Sequence, residues 1–131
     1  MVGFRESEIQ QACVRWFRYQ YPHYASMLVA IPNAGKRTRK MVNTSYGSKV
    51  VCVGGKRAKD EGMVAGAADA ILLVQKGECG CLCIEFKTEE GRQSPEQKRW
   101  QAATEQAGNK YCVVRGIEEF MKVINDYINH P

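Results

Sequence analysis

The sequence predicts an α/β fold, a mixed β-sheet flanked by helices, and three observations carry that expectation. Apolar residues near the N-terminus recur at helical spacing. The segment CLCIEFK, residues 81–87, alternates side chains as a strand does. Near the C-terminus a strand, a helix and another strand follow one another, and such a crossover joins parallel strands with the helix on a sheet face. With 131 residues, one domain spanning 1–131 is expected, because two separate cores would be too small to stand alone.

Taken in order, residues from about Ser7 to Tyr21 form the first helix. Ile9, Cys13, Trp16 and Tyr19 mark its buried stripe, and Pro22 ends it. Met27 to Ile31 is a short apolar strand. From Pro32 to Gly62 the texture turns to Gly, Lys, Arg, Ser and Asn, a basic loop with one possible extra strand at Val50 to Val53. Asp69 to Gln75 (DAILLVQ) reads as a buried strand, Gly77 marks a turn, and Leu82 to Thr88 pairs with it as a hairpin. Ser94-Pro95-Glu96-Gln97 opens a helix with an N-cap serine, proline at the first position and glutamine at the third. Gly108 stops it. Tyr111 to Arg115 is a strand, and Ile117, Phe120, Met121, Ile124 and Ile128 stripe a last helix. With the Val50 segment set aside, the order is αβββαβ followed by that helix.

Composition narrows the class. Hydrophobic residues at 44% and charged residues at 25% exclude a disordered chain. The longest apolar run, Val64 to Val74, is too short for a membrane helix and contains Asp69. MVGFRESEIQ lacks the apolar core of an export signal, so a cytoplasmic protein with reduced cysteines is expected. Nineteen basic residues against fourteen acidic ones give +5, a mild bias toward a polyanionic partner.

The chemistry concentrates on one strand. Alternation puts Cys81, Cys83, Glu85 and Lys87 on one face, with Leu82, Ile84 and Phe86 on the other. Asp69 opens the preceding strand, and a hairpin would bring it beside Glu85. Two adjacent carboxylates repel unless a cation lies between them, and oxygen ligands suit Mg²⁺ or Mn²⁺. Lys87 beside that site would neutralise charge developing on a phosphate. An E-x-K triplet alone is common, and on a surface strand it would be a weak ion pair.

Several motifs together resemble one family. ESEIQ at 6–10, IPNAGKR at 31–37, GAADAILL at 66–73, IEFKTEEGRQSPEQ at 84–97 and Gly108 are similar to the virus-type replication-repair nuclease (VRR-NUC) domain of the PD-(D/E)XK superfamily. The resemblance spans almost the whole chain and implies a restriction-endonuclease-like αβββαβ core. The sequence departs from the family at Ala68, where proline usually precedes the aspartate, and in a longer basic stretch between Pro32 and Gly66.

By this resemblance Asp69 and Glu85 bind the divalent metal with the Phe86 backbone carbonyl, and Lys87 is the catalytic lysine. The family adds a glutamate from the first helix. Glu6 and Glu8 compete for that role; Glu6 lies three residues before Ile9, on the sheet-facing stripe, whereas Glu8 is about 100° away from Ile9. Glu6 is the choice, against the alternative that it merely favours the helix N-terminus. Gln10, one turn on, would reach the same site. Gln97 matches a family glutamine facing the metal, yet Ser94-x-x-Gln97 is equally a capping box.

Lys36, Arg37, Arg39, Lys40, Lys49, Lys56, Arg57 and Lys59 place eight cations in 24 residues without an acid, a pattern suited to gripping phosphates. A solvated loop is the plainer reading. Asn33 and Arg37 match the family's PN-x-G-x-R signature and are expected to face DNA. Cys79, Cys81 and Cys83 read as packing residues in preference to a zinc site, which usually uses two spaced pairs. Trp16 and Trp100 read as core or partner-facing in preference to base-stacking, and neither histidine is placed for catalysis.

The expected protein is therefore a Mg²⁺- or Mn²⁺-dependent DNA endonuclease. Stand-alone domains of this kind resemble Holliday-junction resolvases, which implies a homodimer cutting branched or four-way DNA, in a bacterium or a phage-infected host cell. A flap nuclease of the same superfamily and a non-catalytic basic DNA-binding module are the alternatives.

Overall fold

A computed structural model describes residues 5–32, 39–44, 47–52 and 55–130 of the chain. The elements run α1 (Glu6–Gln20), a short 3₁₀ helix (Pro22–Met27), β1 (Leu28–Ala30), β2 (Arg39–Thr44), β3 (Gly47–Cys52), α2 (Gly55–Asp60), β4 (Ala70–Leu72), β5 (Leu82–Phe86), α3 (Pro95–Gln106), β6 (Lys110–Val114) and α4 (Ile117–Ile128). Four strands form the main sheet in the order β1-β4-β5-β6. The first two pairings are antiparallel and β5–β6 is parallel, so the expected mixed sheet is present.

Both faces of this sheet are covered. Leu72, Leu82, Ile84, Phe86 and Val114 share one core with Ile9, Cys13 and Phe17 of α1 and with Phe120, Ile124, Tyr127 and Ile128 of α4. Each fully buried phenylalanine there contributes about 2 kcal/mol by leaving water. On the opposite face Cys83 and Tyr111 pack with Ala68 and, from α3, with Trp100. All five residues of β5 are buried, which is why this strand reads as nearly continuous apolar sequence around its one charge. Tyr127 Oη donates to the Val74 carbonyl at 2.5 Å, tying α4 to the chain leaving β4.

The structure corrects several details. Tyr19 is 87% exposed, and Phe17, one turn beyond Cys13, takes the buried position on α1. The stripe advances by four at that point, following the residue that meets the sheet. β4 is only three residues long where seven were expected, because its edge partner β1 offers only Leu28–Ala30. Ladder bonds extend the pairing slightly at both ends, from Leu73 N–H to the Met27 carbonyl and from Ile31 N–H to the Asp69 carbonyl.

The basic segment was expected as a loop with an extra strand near Val50. That strand is present as β3, and the described residues add its antiparallel partner β2, from Arg39 opposite Cys52 to Thr44 opposite Gly47, followed by α2. This hairpin is a separate two-stranded sheet. RKMVNT interleaves charge and polarity without a core-facing period, so its strand character depends on a partner strand and not on its own pattern.

Candidate active site

The ends of β4 and β5 assemble the site. Ala70 pairs with Ile84, and one further step along the same register sets Asp69 opposite Glu85. Asp69 Oδ2 accepts a 2.8 Å hydrogen bond from Phe86 N–H, while the Asp69 carbonyl accepts from Ile31 N–H at 2.8 Å. The aspartate is thus held from two strands. Asp69 is 2% exposed, Glu85 1% and Lys87 8%. Among the described residues these three are the buried charged side chains, joined only by Thr104 among buried polar residues. Burying charge is costly unless charges are compensated, so this grouping demands mutual or external neutralisation.

Lys87 is positioned by elements on two sides. Its N–H donates to the Val114 carbonyl at 2.9 Å, which prolongs the β5–β6 pairing. Gly91 closes over its stem; a Cβ at Gly91 would stand 3.3 Å from Lys87 Cδ. The turn carrying Gly91 is pinned by Arg115, whose Nη1 donates to the carbonyls of Thr88 at 2.7 Å and Gly91 at 2.5 Å. Arg115 is a positioning residue that sequence reasoning missed. The only signal was a cation closing the apolar strand YCVV, and nothing local tells that it reaches back to residues 88–91.

Tyr111, on β6, lies on the α3 side of the sheet near the carboxylates. Burial raises its hydroxyl pKa, the negative charges of Glu85 and Asp69 raise it further, and a hydrogen bond with Gln93 opposes them. Gln93 Nε2 also donates to Gln101 Oε1 at 2.9 Å, linking this side of the site to α3.

The other expected residues fall variously. Glu6 begins α1 and is half-buried, whereas Glu8 is exposed and pairs with Arg5 at 4.0 Å, the burial order that the stripe implied. Among the described residues, however, no third Asp, Glu, His or Cys joins Asp69 and Glu85 in a cluster able to hold a metal. Gln10 is half-buried and lines a depression with Ser7 and Val14. Gln97 completes the capping box: Ser94 N–H donates to its Oε1 at 2.8 Å, and its own N–H donates to Ser94 Oγ at 3.1 Å. Lys56 and Arg57 lie exposed on α2, paired with Asp60 at 3.8 Å and Glu61 at 2.7 Å, the acids that immediately follow the basic run. Arg39 and Lys40 open β2, opposite Cys52 and Val51. Asn33, Lys36 and Arg37 lie outside the described residues.

The cysteine cluster divides between the two cores. Cys79 packs toward the α1/α4 side, whereas Cys81 and Cys83 lie on the α3 side with sulfurs 3.9 Å apart. Burial raises the Cys83 thiol to about 12, with neighbouring Cys81 adding to the shift, and burial raises Cys13 likewise to about 12. Both groups favour the folded state in their neutral form. Their contribution is complete below the ordinary thiol pKa of 9.0 and fades as pH rises toward 12, because the unfolded chain ionises first. Urea unfolding should therefore show a lower midpoint at pH 10.5 than at pH 8, and Cys83→Ala should reduce that difference by its own share, leaving the part due to Cys13. An unchanged alkaline slope in the variant would contradict this assignment.

The sheet and its buried acid pair define the class as an α/β domain with a carboxylate–lysine site at the junction of two strands. The fold is similar to that of a solved structure described as a "VRR_NUC domain protein", which superposes with a TM-score of 0.77, covering 98% of this chain and 91% of that one at 22% identity. No family model matches the sequence. No curated protein matches it either.

Proposed function

We propose that the chain is a metal-dependent DNA nuclease that hydrolyses phosphodiester bonds with Asp69, Glu85 and Lys87. The observation that carries this reading is that the three buried charged side chains of the described fold are two carboxylates and one ammonium on adjoining strand ends. A core gains nothing from burying such a group, and a binding module has no use for acids beside a phosphate. The likeness in fold to a VRR_NUC domain protein supports the same reading.

The donor set fits a hard divalent cation, since both acids offer carboxylate oxygens and the Phe86 carbonyl follows Glu85 directly. Mg²⁺ or Mn²⁺ bound there would offset the carboxylate charge and polarise the scissile phosphate. Lys87 supplies positive charge to the phosphoryl oxygens as a water oxygen bonds to phosphorus and the opposite P–O bond breaks. Overall the water proton is transferred to the departing sugar oxygen. Glu6 and Gln97 are assigned supporting roles at the rim. Asn33, Lys36, Arg37, Arg39, Lys40, Lys56 and Arg57 grip the DNA backbone.

The substrate we assign is branched DNA, with a four-way junction cut symmetrically by a homodimer. The test is cleavage of a synthetic junction beside duplex, flap and single-strand controls, in EDTA, Mg²⁺ or Mn²⁺. Paired cuts that require the metal are expected. Flap cutting in place of junction cutting would retain the chemistry and overturn the resolvase assignment. Tight binding without cutting in either metal would leave a basic binding module.

A further inference from the structure

We infer that the groove between β1, α2 and α3 receives an unpaired nucleobase of the substrate strand, stacked on Trp100. The inference rests on the nuclease reading and specifies what that site recognises. The groove encloses about 670 Å³ and is lined by Ile31, Pro32, Arg57, Met63, Ala67 and Trp100, among others. Trp100 is half-buried and meets Tyr111 at a tilted 58° with ring centroids 6.1 Å apart, so its partner within the fold fixes the indole while it also walls the groove.

Three features on this surface match a base and its phosphate. The wall is aromatic and aliphatic, suited to the π-face that every base presents. Arg57 stands in the groove on α2, a helix that also carries Lys56 and Lys59. Its exposed pairing with Glu61 is weak and exchangeable for a phosphate. Finally, two residues of the groove lining, Ile31 and Ala67, lie next to the strand end that carries Asp69. Ala67 lies two residues before Asp69, a span of about 7 Å at most, and Ile31 donates directly to the Asp69 carbonyl.

On this proximity, the nucleotide next to a phosphate held at Asp69 and Glu85 is the one assigned to the groove. A base stacked within a duplex has no free face to offer, so entry requires an unpaired nucleotide, which branch points and flaps supply. The groove thus provides a physical basis for preferring interrupted DNA over continuous duplex.

The test compares binding of a single-stranded oligonucleotide of about a dozen nucleotides with an abasic strand of equal length and charge. Calcium replaces the catalytic ion, and wild type, Trp100→Ala and Trp100→Phe are measured by fluorescence anisotropy. Wild type is expected to bind the base-bearing strand roughly ten-fold more tightly than the abasic one. Trp100→Ala should lose that ratio and Trp100→Phe should keep most of it. Equal wild-type affinity for both strands, with salt-sensitive binding retained, would overturn the base pocket and leave the nuclease reading intact. Binding of neither strand would overturn the base pocket as well, and the nuclease reading would then stand or fall on junction cleavage alone. The wild-type ratio decides the matter even should the alanine variant fail to fold.

Discussion

Lys87→Ala is expected to lower the cleavage rate about a hundredfold to a thousandfold while leaving DNA binding nearly unchanged. The lysine is 8% exposed beside two carboxylates that are almost wholly buried, so among the described residues its ammonium is the buried cation of the group. Removing it leaves two acids facing a phosphate. Strand pairing should survive, because Lys87 joins β6 through its main-chain N–H, which alanine retains. Lys87→Arg is not expected to restore the rate: the guanidinium is a planar fork that cannot place its charge where the compact ammonium stands, and the stem runs past Gly91, where an added Cβ would lie 3.3 Å from Lys87 Cδ. Single-turnover cleavage in Mn²⁺, with circular dichroism as the check on folding, measures the effect. A folded Lys87→Ala protein cutting at the wild-type rate would remove the lysine from the mechanism.

Gly66→Ala should be the most destabilising small substitution outside the core. Gly66 has φ +87°, and a Cβ there would stand 2.5 Å from the carbonyl carbon and oxygen of Glu96 and 2.9 Å from Gln97 N. The left-handed backbone costs about 1 kcal/mol for alanine, and the clash adds about 2 to 3 kcal/mol because main chain must move. Together these lower the melting temperature by on the order of 10–15 °C in a domain of this size. Gly62 is the internal control: its φ is +108° but nothing lies within 4 Å, so Gly62→Ala should cost only about 1 kcal/mol. Equal losses in the two variants would show that the approach of Gly66 to α3 is not tight. The contact bears on the site, since the loop that packs at Gly66 against the first turn of α3 leads within three residues to Asp69.

Much of this site was legible because its constraints are local. The alternation of CLCIEFK assigned the faces of β5, and the Ser94–Gln97 capping box was readable from its spacing. Gln97 illustrates the limit: the same residue satisfies two patterns, and the structure shows the cap bonds directly. Glu6 illustrates another. Helical spacing ordered Glu6 ahead of Glu8 by burial, but the distance from a helix terminus to a strand end depends on how α1 crosses the sheet.

By itself the sequence determined the mixed α/β class, the principal helices, and the candidate acids and lysine, since periodicity, capping and strand alternation are properties of neighbouring residues. Only the tertiary structure decided that Asp69 stands opposite Glu85, that Arg115 pins the turn over Lys87, and that the basic segment contains a hairpin and a helix. Strand register, a guanidinium reaching back to residues 88–91, and pairing between two polar strands join residues distant in sequence. Their free energy exists only once the chain has folded and brought those partners together.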